Sequence, residues 1–194
     1  FPMHFMRQVY TALQDQDVKW NVGYWHFNQR AVYNGALAAN HVDGFQRFVD
    51  FYDGCKDTMT EYTRQRFGYT DAMKTQEILR WDGYPRAWPL SSNPESSAFT
   101  QFDNQYVGWI YCTGPEVAEN MYSVYKYTQN EELLEKYYDY MRRTVQFIVQ
   151  WVRWDEASGT YQIEDSHSRE NWWHINNSTP DNAAIRSLLP KFIE

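Results

Sequence analysis

The stretch NEELLEKYYDYMRRTVQFIVQWVRW, residues 130–154, decides the fold. Leu134, Tyr137, Tyr138, Met141, Val145, Ile148 and Val152 recur in it at three- and four-residue steps. That spacing puts seven apolar side chains on one face of a helix and leaves Glu131, Glu132, Lys136 and Arg142 for the rest. Asn130 precedes the pattern, where a side-chain oxygen can accept from a free N–H of the first turn. A helix of this length over Asn130–Trp154 needs partners of its own kind to cover its apolar face.

The flanking chain supplies them. Upstream, Pro115 reads as an opening residue of a helix over Pro115–Tyr127, which packs through Val117, Met121 and Tyr125. Further back, Phe45, Phe48, Val49, Tyr52, Cys55, Met59, Tyr62 and Phe67 predict one helix over His41–Phe67, capped by Gly68. Shorter patterns predict helices over Met3–Gln14, Trp25–Ala39 and Asp181–Leu189. Downstream of the long helix, Asp155 to Gly159 reads as a turn and Thr160 to Ile163 as a short strand. Between Tyr69 and Tyr106 no period survives; Pro85, Pro89, Pro94 and four serines break it. Irregular segments of that length inside a domain are usually functional. The fold class is therefore all-α, a single domain over 1–194 built from packed antiparallel helical hairpins.

Composition narrows the chemistry. The 194 residues carry a net charge of -7. That balance disfavours nucleic acid, whose phosphates need cationic partners, and anionic membrane surfaces. No run approaches the length of a membrane-spanning helix, and residues 1–4 carry no signal-peptide pattern. Cys55 and Cys112 each lie in or beside an apolar helical pattern and read as buried free thiols. No Cys/His cluster suggests a metal, and no motif calls for a cofactor. Aromatic residues make up 19% of the chain, and many fall in loops beside Asn, Gln, Asp, Glu, Arg and His. Flat rings for C–H faces, with polar groups for hydroxyls, suit a carbohydrate.

Two sites stand out. Ser168-Arg169-Glu170 is followed by Asn171, Trp172, Trp173 and His174. A carboxyl set among aromatic rings on a loop is placed to stay protonated and donate. Asn28 lies in Tyr24-Trp25-His26-Phe27-Asn28-Gln29, where a neutral amide can orient a water or bind a hydroxyl. A third segment, Asp82-Gly83-Tyr84-Pro85-Arg86-Ala87-Trp88-Pro89, offers Arg86 and Trp88.

The order of these residues resembles a known family. Trp20-Asn21, Tyr24-x-x-x-Asn28 and Ala39-Asn40-His41 are similar to the segment opening an inner helix in (α/α)6-barrel glycoside hydrolases. The nearest are those of glycoside hydrolase family 95, the inverting 1,2-α-L-fucosidases and α-L-galactosidases, or a neighbouring family. Tyr125-Lys126-Tyr127-Thr128-Gln129-Asn130-Glu131-Glu132-Leu133-Leu134 resembles their Tyr-x-x-Thr-x-Asp-x-x-Phe/Leu-Leu pattern. Ser168-Arg169-Glu170 falls where they have Ser-Pro-Glu.

The resemblance implies an (α/α)6 toroid, present as an incomplete portion, that cleaves a terminal fucose- or galactose-like sugar with inversion. It implies Glu170 as general acid and Asn28 as the amide that positions the water. His26 stands where the family has a second asparagine. Trp25, His26, Arg86, Trp88, Trp172, Trp173 and His174 are the expected sugar contacts. The family's His-His-Asn-Thr-Asp loop finds no match, its region being taken as Gly83 to Leu90. Its carboxylate that activates the asparagine lies further downstream than the 24 residues following Glu170. The remainder of the domain, or another copy, is thus expected to cover an exposed apolar face. An extracytoplasmic location is also implied.

Two other readings compete. One is a polysaccharide lyase on a related toroid, using Asn28, His26, Tyr24 and Arg86. The other is a non-catalytic α/α domain that binds glycans or proteins through its aromatic loops.

Overall fold

The computed structural model describes residues 23–85 and 107–193. Within them the chain runs β1 (Tyr24–Trp25), α1 (His26–Tyr33), α2 (Val42–Gly54), α3 (Lys56–Phe67), β2 (Ile78–Leu79), α4 (Thr113–Thr128), α5 (Glu131–Trp151), β3 (Arg153–Asp155), β4 (Thr160–Gln162) and α6 (Thr179–Ile193). The fold is all-α in substance, since its strands form only two short antiparallel ladders, β1 with β2 and β3 with β4. The expected helix Met3–Gln14 lies outside the described residues, as do Arg86 and Trp88.

Helix α4 is the hub. It packs on α2, α5 and α6, and Val117, Ala118, Met121 and Val124 are wholly buried there. Gly114 lets its first turn come close to Thr75 and Thr144. Helices α4 and α5 form a hairpin joined by Gln129, in the left-handed region (φ 54), and Asn130. The Asn130 side chain accepts from Glu132 N–H at 2.9 Å, satisfying a donor that the helix leaves free. Tyr137, Tyr140, Met141 and Ile148 of α5 then meet Phe48, Val49 and Tyr52 of α2 in the main core.

Boundaries depart from the apolar pattern at several places; α6, predicted over Asp181–Leu189, runs from Thr179 to Ile193. The predicted single helix over His41–Phe67 breaks at Cys55, whose N–H bonds to Tyr52 O one residue short of the helical register. Apolar spacing continues across the break, which is why periodicity hides it. Helix α1 covers only His26–Tyr33 of the predicted Trp25–Ala39. Trp25 is drawn into the ladder with Ile78, and Asn34 to Asn40 form turns that end with Asn40 at φ 60. Helix α5 stops at Trp151, because Val152 takes an extended conformation and feeds β3. Gly68 does cap α3 in the left-handed conformation at φ 72.

Both cysteines are buried free thiols, and burial pushes Cys55 up to about 11. Cys55 lies against Gly83, where a Cβ would stand 2.8 Å from the Cys55 Cβ with φ at +84. Gly159 also has positive φ, +64, but open space around it. Gly159→Ala is therefore expected to cost about 1 kcal/mol from backbone strain alone. Gly83→Ala should cost about 3 kcal/mol, because overpacking adds to strain. Urea denaturation of the two variants checks the difference.

Candidate active site

A cavity of about 520 Å³ opens where α1, the 107–112 segment, the start of α4 and the 168–171 loop converge. Asn28 and Glu170 both line it. Trp25, Phe27 and Arg30 complete the α1 side, while Val107, Ile110 and Cys112 make an apolar wall. Among the described residues, neither the Asn28 amide nor the Glu170 carboxyl makes a side-chain hydrogen bond to the chain. Both remain available to a ligand.

The α1 side is fastened by two carboxylates that sequence reading did not single out. Glu77, 4% exposed, reaches the cavity from the segment Ala72 to Leu79, which is buried throughout. Its Oε1 accepts from Phe27 N–H at 2.5 Å and its Oε2 from the Thr113 hydroxyl at 2.7 Å. Phe27 and Thr113 lie in the first turns of α1 and α4, and the residues preceding these helices, Trp25 and Cys112, provide no side-chain cap. One carboxylate thus caps the α1 N-terminus and ties it to the first turn of α4 through the Thr113 side chain. Burial raises Glu77 above its ordinary value, against the His26 ring and the two hydrogen bonds, which favour the ionised form.

Glu116, in the first turn of α4, also lines the cavity. It takes His26 Nε2 at 2.9 Å and Arg30 Nη1 at 2.6 and 2.7 Å. Burial pushes its carboxyl up, but the hydrogen bonds and charges of His26 and Arg30 outweigh this and hold it at about 2. His26 itself is buried, behind the wall rather than part of it, stacked on Phe48 and edge-on to Tyr52. It acts through Glu116, not as a surface offered to a sugar.

The loop that bears Glu170 differs from the dry aromatic enclosure expected around it. Glu170 is exposed, Trp172 is 66% exposed, and neither Trp172, Trp173 nor His174 belongs to the cavity wall. Trp173 donates through Nε1 to the Glu170 backbone carbonyl, and His174 pairs with Asp165 at 2.6 Å. A loop this tight turns its large rings away from its tip. Of the expected contacts, Trp25, Asn28 and Glu170 share the cavity. Among the described residues no group of three or more His, Cys, Asp or Glu could hold a metal ion, and no helix is long and apolar enough to cross a membrane.

Among the described residues, a carboxyl and an amide without side-chain partners thus face one cavity. The glycosyl hydrolase family 95 catalytic domain matches residues 13–194. The chain belongs to glycosyl hydrolase family 95. It is a glycoside hydrolase acting on carbohydrate, and its packed helices are a portion of that family's α/α toroid. The lyase and non-catalytic readings give way to this one. No curated protein matches the family 95 chain.

Glu77 and Glu116, two of the carboxyl groups lining the family 95 cavity, respond to pH in opposite senses. Glu116 is depressed in the folded state, so its contribution is complete above the unfolded value near 4.5 and is lost as pH falls towards about 2. Glu77 is raised, so folding is favoured below that unfolded value and loses stability as pH rises through the folded one. Glu116→Gln is expected to lower stability by about 2 kcal/mol at pH 7 and to flatten the acid limb. Glu77→Gln, which keeps an acceptor for Phe27 and can donate to Thr113, should remove the loss on the alkaline side. Denaturant midpoints measured from pH 3 to 8 check both signs.

Proposed function

We propose that the chain carries the acid and the water-positioning amide of an inverting glycoside hydrolase that removes a terminal fucose- or galactose-like sugar. The observation that carries this reading is the shared cavity: Glu170 and Asn28 line one space, and among the described residues neither side chain is taken up by a hydrogen bond. Its volume suits a ligand of one or two sugar rings. Inversion needs a protonated carboxyl at the glycosidic oxygen and a water on the opposite face of the ring. The two catalytic groups then stand roughly 6.5–9.5 Å apart to leave room for that water.

In this mechanism the Glu170 carboxyl donates its proton to the leaving oxygen as the C–O bond lengthens. The Asn28 side-chain oxygen accepts from the water and aims its lone pair at the anomeric carbon. A carboxylate that polarises Asn28, from the rest of the domain or another copy, takes up the water's proton. Trp25 and Phe27 offer flat faces to the C–H side of the sugar. Glu77 and Glu116 hold the helix that presents Asn28, leaving Arg30 neutralised within the wall. The extracytoplasmic location implied by the resemblance belongs to the same reading.

Glu170→Gln is expected to reduce kcat by about 10² to 10⁴ on substrates with poor leaving groups. It should spare aryl glycosides, whose leaving groups need little protonation. Asn28→Ala should depress both classes together. Proton NMR of the first-formed sugar should show the inverted anomer. Equal loss on both substrate classes for Glu170→Gln would remove it from the acid role, and a retained anomer would remove the water-positioning role of Asn28.

A further inference from the structure

The loop that bears Glu170 is built in two nested turns. Ser166 and Ile175 exchange both backbone hydrogen bonds at 2.9 Å and close its base. Inside, Ser168 N–H bonds to Trp172 O at 3.0 Å and Trp172 N–H to Arg169 O at 3.2 Å. Glu170 and Asn171 are therefore the two central residues of a four-residue turn, Arg169 to Trp172. Such a turn fixes its own shape but not its height above the cavity.

That height depends on the ring that follows. The Trp173 indole N–H donates to the carbonyl of Glu170, while its ring stacks on His167 with centroids 5.9 Å apart and planes 17° apart. His167 is 1% exposed and stacks in turn on Trp109 at 5.5 Å and 24°. Its backbone N–H bonds to Trp109 O at 2.9 Å. Trp109 lies between Val107 and Ile110, which form the apolar wall of the same cavity. Trp109, His167 and Trp173 thus make a stacked column that runs from that wall to the backbone of Glu170. His174 closes its side, edge-on to His167 at 5.0 Å.

We propose that Trp173 is a positioning residue for Glu170: its indole N–H and its stack on His167 set the carboxyl at the height of the glycosidic oxygen. This rests on Glu170 being the general acid. It replaces the expectation that Trp173 contacts sugar. Proton donation in the transition state tolerates little misplacement, so a shift of the turn by a fraction of an ångström weakens it while leaving the sugar's binding surface intact. Because Trp173 is 42% exposed, replacing it costs the fold little.

The test uses Trp173→Phe, which keeps a stacking ring and deletes the N–H, and Trp173→Ala, which deletes both. Glu170→Gln and Trp154→Phe, an exposed tryptophan on the β3–β4 hairpin, run alongside. Steady-state kinetics are compared on an alkyl and an activated aryl glycoside of the same sugar, with melting temperatures for every variant. Trp173→Phe is expected to lower kcat about tenfold on the alkyl glycoside and less than twofold on the aryl one. KM and the melting temperature should hold. Trp173→Ala should deepen the same split, and Trp154→Phe should match the parent.

If Trp173→Phe instead raises KM, or lowers kcat equally on both substrates, the positioning role is overturned. When Glu170→Gln shows the leaving-group split and Trp173→Phe does not, only the role of Trp173 fails. Should Glu170→Gln itself show no split, the acid assignment fails and the positioning role falls with it.

Discussion

The Glu77 carboxylate, shut between the first turns of α1 and α4, is the constraint on which this molecule turns. Two helix N-termini carry free N–H groups and partial positive charge, and burying them without an acceptor is costly. One side chain from an irregular segment accepts the Phe27 N–H at the α1 terminus and the Thr113 side-chain hydroxyl in the first turn of α4. The β1–β2 ladder lies directly beside it, and Glu77 also accepts His26 N–H at its own backbone carbonyl, 3.0 Å away. Side chain and main chain of a single residue thereby dock α1 onto the hub of the fold. The burial that makes this possible also makes ionisation expensive, which is why the capping group sits above its ordinary pKa while Glu116 nearby sits below.

Around that junction the cavity divides its labour. The α1 and α4 side is rigid, tied by paired charges and capped helix ends, and presents Asn28 from a first turn that has no freedom to slide. The opposite side is a loop, held by its own backbone hydrogen bonds, the His174–Asp165 pair and a stack of rings. A hydrolase gains from this contrast. Under the proposed roles, the amide that holds water would need to be still, whereas the acid that serves the leaving group would stand over an opening wide enough to let the product depart. Cys112 in the wall, with its thiol pushed well above the ordinary value by burial, adds apolar surface without nucleophilic character.

The sequence was legible wherever local chemistry decides structure. The α5 face, the Asn130 cap and the Gly68 turn follow from spacing and residue type within a few positions. Asn28 and Glu170, drawn from chain positions far apart, came from motif order rather than from periodicity, and they do share one cavity. Their catalytic roles rest on the experiments above. What could not be read is what distant segments do to each other. Glu77 lies in a stretch without period, and only its depth in the fold marks it out. Cys55 interrupts a helix whose apolar spacing continues unbroken, at a point where Gly83 of a later segment lies against it. The tryptophans after Glu170 look like a shelter in one dimension, yet two tight turns send them outward and leave the acid open.

The connections that build the cavity are long-range. His26 meets Glu116 across 90 positions and Phe27 meets Glu77 across 50, whereas α4 and α5 are neighbours joined by two residues. Closing large loops costs entropy that a local hairpin does not face, so the hairpin carries the low-contact-order part of folding and the cavity the high-contact-order part. In the native protein the same asymmetry grades local stability. Amides in the middle of α4 and α5 are expected to exchange with solvent more slowly than those of α1, whose hold on the fold runs through Glu77, Glu116 and the rings of α2. A ligand that bridges Asn28 and Glu170 would join the long-range contacts of α1 thermodynamically to the loop across the cavity.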